Sequence, residues 1–107
     1  PTHFSVALKY DPDSMATPLV VAKGADLIAL KIREIASEYK IERVEAPLLA
    51  RAIFFTSDVN EEIPSDLYLA VAQVLAYVFQ LRKFRKGTGD RPSYPKNITV
   101  PPHMRFE

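Results

Sequence analysis

Pro1, Thr2 and His3 set a proline nitrogen, a hydroxyl and an imidazole in three consecutive positions. Of these, the His3 imidazole is suited to moving a proton near neutral pH, because its unperturbed pKa lies at about 6.5. A terminal proline amine with a lowered pKa is also a general base. Plainer readings stand beside these: His3 as a hydrogen-bonded strand residue that shapes a turn, and Thr2 as a residue of high β-propensity. Elsewhere the supply of chemistry is thin. The chain has no cysteine, which excludes disulfide frameworks, thiol catalysis and cysteine-based zinc sites. The second histidine, His103, lies at the other end of the chain, so no metal site is expected. Asp58, Glu61 and Glu62 form a loop cluster without a nearby imidazole and read as solvated carboxylates. Gly87-Thr88-Gly89 has no strand before it, so no nucleotide site and no cofactor are expected.

The elements that must carry these residues follow from periodicity. Phe4, Val6 and Leu8 alternate with Ser5, Ala7 and Lys9, which predicts a strand. Asp11-Pro12-Asp13-Ser14 is turn chemistry and stops that strand at Tyr10. Leu19-Val20-Val21-Ala22 predicts a second strand, buried on both faces. Lys23-Gly24 leads into a helix with Ile28, Ile32, Ile35 and Tyr39 on its apolar face. Ile41 to Glu45 is long enough for a third strand. Pro47 suits the first turn of a short helix that carries Leu48, Leu49, Ala52 and Ile53. Pro64-Ser65-Asp66 opens a last helix, with a capping residue and a carboxylate at the positive end of its dipole. That helix is apolar nearly all round from Leu67 to Leu81, so it is either sandwiched within the domain or offers a second face to a partner. The expected architecture is α/β: a small, mostly four-stranded sheet flanked by three to four helices, one strand coming from a segment upstream of Pro1.

The 107 residues are enough for one domain with a real core. A net charge of +1 conceals an asymmetry: residues 1–81 carry 7 basic against 11 acidic side chains, residues 82–107 carry 7 against 2. Residues 1–86 hold one glycine, whereas 87–107 hold two glycines and four prolines. Residues 1–86 therefore read as the globular domain and 87–107 as a flexible, proline-rich basic tail. Arg82-Lys83-Phe84-Arg85-Lys86 reads first as cations at a helix carboxy-terminus, and no nucleic-acid partner is expected. The longest apolar run, Leu67 to Leu81, is shorter than the roughly 20 residues a bilayer requires, so this chain is not expected to insert into a membrane.

Pro1-Thr2-His3-Phe4-Ser5-Val6-Ala7-Leu8 resembles the cleavage-site segment of the FlhB family, the flagellar export switch proteins and their virulence-secretion relatives. There Asn-Pro-Thr-His precedes a hydrophobic strand. The resemblance continues through Lys9-Tyr10-Asp11, Val20-Val21-Ala22-Lys23-Gly24, Lys31-Ile32-Arg33-Glu34-Ile35-Ala36, Ala46-Pro47, Leu49-Ala50-Arg51-Ala52, Glu62-Ile63-Pro64 and Val74-Leu75-Ala76-Tyr77-Val78, in order across residues 1–86. It implies a single-turnover autocleavage between an asparagine, absent from this sequence, and Pro1, with Pro1, Thr2 and His3 as the site. Thr2 and His3 should point to opposite faces if the strand begins at once.

The resemblance also implies a small apolar pocket for early export substrates at Thr17, Pro18, Ala72 and Leu75, with core packing as the alternative for the last two. Thr17 stands where relatives commonly carry alanine. The implied partners are the chain's own amino-terminal cleavage fragment, other export-apparatus proteins and export substrates. The implied place is the cytoplasmic side of the bacterial inner membrane, in a protein that shifts export from rod and hook to filament-type subunits. Two alternatives stand: an uncleaved short homologue acting purely as a binding module, and a Pro1-dependent tautomerase.

Overall fold

The computed structural model describes residues 2–106. β1 (Phe4–Lys9) pairs antiparallel with β2 (Leu19–Ala25), and the helices α1 (Leu27–Glu38), α2 (Pro47–Thr56) and α3 (Tyr68–Arg85) follow. β1 is amphipathic as its alternation requires. Phe4 stacks with Phe54 and Phe55 of α2, and Val6 and Leu8 pack against the core. On the other face, the Ser5 hydroxyl donates to the Ala29 carbonyl of α1 at 3.0 Å. The hairpin is therefore a partition, with α1 on one side and α2 with the core on the other.

One extra residue in β2 makes this partition work. Register runs Phe4↔Ala25 to Ala7↔Ala22 and then skips to Leu8↔Val20. Val21 is the bulged residue, and the skip returns Val20 to the core face, where it is fully buried. Without it, the period of two would aim Val20 at the opposite face. The expectation of a strand buried on both faces is thus corrected: Val21 is 41% exposed. β2 also continues through Lys23 and Gly24 rather than yielding to a helix there. Gly24 pairs with Ser5 on the α1 side. A Cβ on it would lie 2.8 Å from Ile28 Cβ, so only glycine lets α1 approach this closely.

α1 is rotated from its expected setting. Ala29, Ile32, Arg33 and Ala36 line its inner face, with Ala29 fully buried, whereas Ile28, Ile35 and Tyr39 are exposed. The periodicity is real but one position out of phase, with fully buried Ala29 on the inner face and Ile28 at its edge, against Gly24. The expected third strand at Ile41–Glu45 is also corrected. Lys40 adopts φ 54° and turns the chain, the Ile41 N–H closes onto the Ala36 carbonyl, and the segment lies outside any strand. A strand needs a free sheet edge to pair with, and the ladder described here has two strands rather than four. A strand from an upstream segment lies outside the described residues.

α2 begins with Pro47 at its first position and buries Leu49, Ala52 and Ile53; Leu48 is left at the surface. Ser65 makes no capping bond to α3, which is entered instead through a single 3-10 turn at Ser65–Leu67. Gly87 ends it. With φ 78° its N–H reaches the Phe84 carbonyl while Thr88 N–H reaches that of Lys83, the paired bonds that satisfy a helix's last carbonyls.

The segment after α3 contributes to the core. Val100 and Met104 are 3% and 7% exposed and join Val20, Leu49, Ile53, Ile63, Leu67 and Val71 in one cluster. Polar ties hold the path between: Gln73 accepts the Thr99 N–H at 2.9 Å, and His103 Nε2 lies 3.0 Å from the Asp66 carboxylate. A flexible tail was expected because apolar residues are sparse there. Two well-placed anchors in a chain pre-stiffened by prolines are enough to seat it. Met104→Ala is expected to lower unfolding free energy by about 2 kcal/mol or more, the usual loss for emptying a buried methionine site. Urea denaturation checks this; an unchanged midpoint would mean the segment only trails from the domain.

Candidate functional site

Two places gather the residues that the sequence singled out. The first is the amino-terminal segment. Pro1 lies outside the described residues; Thr2 and His3 are held on the far end of β2. Asp26 Oδ1 accepts the backbone N–H groups of Thr2 and His3, both at 3.1 Å, and the Thr2 hydroxyl at 3.4 Å. Asp26 N–H in turn donates to the His3 carbonyl at 2.8 Å, extending the β1–β2 ladder by one step. The Thr2 hydroxyl lies 3.1 Å from His3 Nδ1. The two side chains therefore meet rather than pointing to opposite faces. β1 starts only at Phe4, so strand alternation does not yet govern them. The hydrogen bonds from Thr2 N–H, then His3 N–H, hold the Asp26 carboxyl below its ordinary value of 3.8.

Asp26 sits at φ 50°, ψ −108° between β2 and α1, and its own carbonyl accepts the Leu30 N–H of the first helical turn. A non-glycine residue in the left-handed half of the map is a costly conformation, retained where surrounding contacts enforce it. The bonds to residues 2 and 3 supply that enforcement. Sequence reasoning passed over Asp26; only the antiparallel register, which lays it beside His3, brings it to the site.

The second place is an open cleft of about 380 Å³ between the β1–β2 connection and α3. Thr17 and Pro18 form one wall, Ala72 and Leu75 the other, so the four residues named from the sequence share one cavity although they lie some 55 positions apart. The β2 side is fixed by backbone bonds. Val20 N–H donates to the Glu61 carbonyl, Asn60 N–H to the Val20 carbonyl, and Ile63 N–H to the Pro18 carbonyl. These lay Ile63 under the cleft as part of its floor. The lining has no charged side chain; its polar side-chain groups are the hydroxyls of Thr17, Tyr10 and Tyr68. Tyr10 and Phe79 lie 6.4 Å apart at the rim.

The all-round apolar character of α3 is explained by this arrangement. Tyr68, Ala72, Leu75, Ala76 and Phe79 fall in one arc of roughly 100° and line the cleft; buried Val71 borders that arc and reaches the cleft as well, while Ala70, Val78 and Leu81 are buried away from it. The helix is both packed and offered. The spacing of the cleft stripe was readable in the sequence, but Tyr10 and Phe79 were missed because nothing local ties a residue after β1 to one in α3. Asp58, Glu61 and Glu62 belong to the loop beside β2, where Asp58 pairs with Lys23 at 3.4 Å and Glu61 accepts the Asp58 N–H.

Fold and cleft together define a small mixed α/β domain with an open apolar groove. The chain belongs to the FlhB HrpN YscU SpaS family, whose model matches residues 1–78. Over 106 residues it is 52% identical to the flagellar biosynthetic protein FlhB of Salmonella typhimurium and 50% identical to that of Escherichia coli K12, covering 99% of this chain. It spans 28% of the length of each of those relatives. The fold is similar to the crystal structure of the cytoplasmic domain of FlhB from Shewanella putrefaciens, with a TM-score of 0.88 and 51% identity over 97% of this chain and 81% of that one. The PscU C-terminal domain aligns with a TM-score of 0.70 and 37% identity over 73% of this chain and 99% of that one.

A carboxyl ionised more readily in the folded state contributes stability that is present above its ordinary pKa and lost as pH falls through the lowered one. Asp26→Asn should therefore flatten the loss of stability below about pH 4 relative to the parent chain, as read from thermal melts across the acid range. Parallel acid slopes for the two proteins would contradict the assignment.

Proposed function

We propose that this chain is the cytoplasmic domain of a flagellar type III export component, that it receives early export substrates in the apolar cleft, and that it is cut from its upstream part before Pro1. Its place is the cytoplasmic side of the inner membrane. The cut accompanies the shift from rod and hook subunits to filament-type subunits. The observation that carries this reading is the meeting of Thr17, Pro18, Ala72 and Leu75 in one cleft without a charged wall. Such a groove suits an apolar segment of a partner chain, which gains by leaving water. Thr17 makes it slightly more polar than alanine would.

The cut has a chemistry suited to an Asn–Pro bond. Proline nitrogen has no hydrogen and cannot attack the asparagine side chain. The asparagine amide nitrogen instead attacks its own carbonyl carbon; the new C–N bond closes a five-membered imide, and the bond to Pro1 breaks. One amide proton ends on the departing proline nitrogen, so the step consumes no water. Amide nitrogen is a poor nucleophile, and positioning supplies most of what is needed, up to about 7–11 kcal/mol. In this reading His3 handles the proton, and the Thr2 hydroxyl contacts its ring. The reaction happens once per molecule, and its product remains a binding domain.

Denaturing mass spectrometry of the whole protein, purified under native conditions, tests the cut. A fragment beginning at Pro1 with a companion ending in asparagine or its imide is expected, and alanine at that asparagine should abolish both. A single uncut chain would leave the uncleaved binding module instead. Ala72→Glu puts a charge into the cleft at an exposed position. It should weaken binding of a hook-type export substrate by about tenfold or more while changing stability by no more than about 0.5 kcal/mol. Unchanged affinity would place the substrate elsewhere.

A further inference from the structure

We infer that Asp26 is a positioning residue for the cut before Pro1, acting through the backbone of Thr2 and His3 and through the tautomer of His3; this rests on the cleavage reading above. Its carboxylate touches residues 2 and 3 at three points, two backbone N–H groups and one hydroxyl. Together with the Asp26 N–H bond to the His3 carbonyl, these contacts fix the peptide units directly after the scissile bond. A bond that breaks by closure of a five-membered ring needs its carbonyl held while the upstream side chain swings onto it. A clamp on the leaving side provides that hold without taking part in the proton transfers.

The hydroxyl contact does a second thing. Thr2 has one hydroxyl hydrogen, and when Asp26 Oδ1 receives it, His3 Nδ1 must supply the hydrogen of its own 3.1 Å contact with Thr2. Nε2 is then the nitrogen with the free lone pair, and the ring is ready to take up a proton there. Asp26 thus orients the imidazole without touching it. The strained backbone of Asp26 fits this role: its φ of 50° is what turns the chain out of β2 while aiming the carboxylate back at residues 2 and 3.

The test uses the whole protein, translated in a cell-free reaction and stopped in denaturant at timed intervals, with the cut fraction read by intact mass. Asp26→Ala should lengthen the half-time by about tenfold or more. Asp26→Asn keeps an oxygen in place to accept both N–H groups, though a weaker one, and should restore much of the rate, with a residual slowing of roughly threefold. Thermal melts confirm that each variant folds. A folded Asp26→Ala chain that cuts at the parent rate overturns the inference, as does an Asn variant no faster than Ala. If the alanine variant does not fold, Asp26→Asn decides alone, and cutting at the parent rate overturns it. A parent chain that never cuts defeats the cleavage reading and this inference with it, an outcome distinct from loss in the variants only.

Discussion

Antiparallel pairing of β1 with β2, offset by the bulge at Val21, is the constraint from which the rest of the molecule follows. It sends Val20 into the core and puts Gly24 under α1, and it ends with Asp26 beside His3. Hydrogen bonding along a ladder is regular, so one inserted residue changes which side chains meet on each face from that point onward. The same ladder also governs both sites. Its open end holds the amino-terminal segment, and its other end, through the bonds of Pro18 with Ile63 and of Val20 with Glu61, forms one wall of the cleft.

α3 resolves a competition between burial and availability. A helix of this size could spend all its apolar surface on the core. Here one stripe is buried against the domain and a second lines an open groove with small side chains, Ala72 and Ala76, at its middle. Small residues leave room for an incoming side chain, and the larger Tyr68, Leu75 and Phe79 give it edges. An apolar face left open in this way carries a standing exposure of hydrophobic surface, tolerable because it is narrow and rimmed by hydroxyls.

The carboxy-terminal segment shows how little is needed to seat an irregular chain. Among its described residues it has no regular element beyond one 3-10 turn at Pro102–Met104, yet Val100 and Met104 reach the cluster around Ile53 and Leu67. Tyr94 packs edge-on against Tyr77 and its hydroxyl oxygen accepts the Glu45 N–H, tying the connection before α2 to this segment as well. That bond occupies a backbone donor which a strand at Ile41–Glu45 would have used in a ladder.

The sequence by itself determined the strand at Phe4–Lys9, the turn after Tyr10, the helix opened by Pro47 and the long apolar helix that follows. Each is written in short-range periodicity, a proline or a turn residue, and such signals act within a few positions of themselves. The resemblance carried by Pro1-Thr2-His3 and by the blocks through Val78 likewise lay in the order of residues. Only the tertiary structure decided which of the apolar positions of α1 faced inward, that Ile41–Glu45 would find no strand partner, and that Val100 and Met104 would complete the core. It alone brought Asp26 to Thr2 and His3, and Tyr10 to Phe79. These depend on registers and close approaches between segments far apart in the chain, where a single bulge or a missing Cβ shifts the outcome and no local pattern records it.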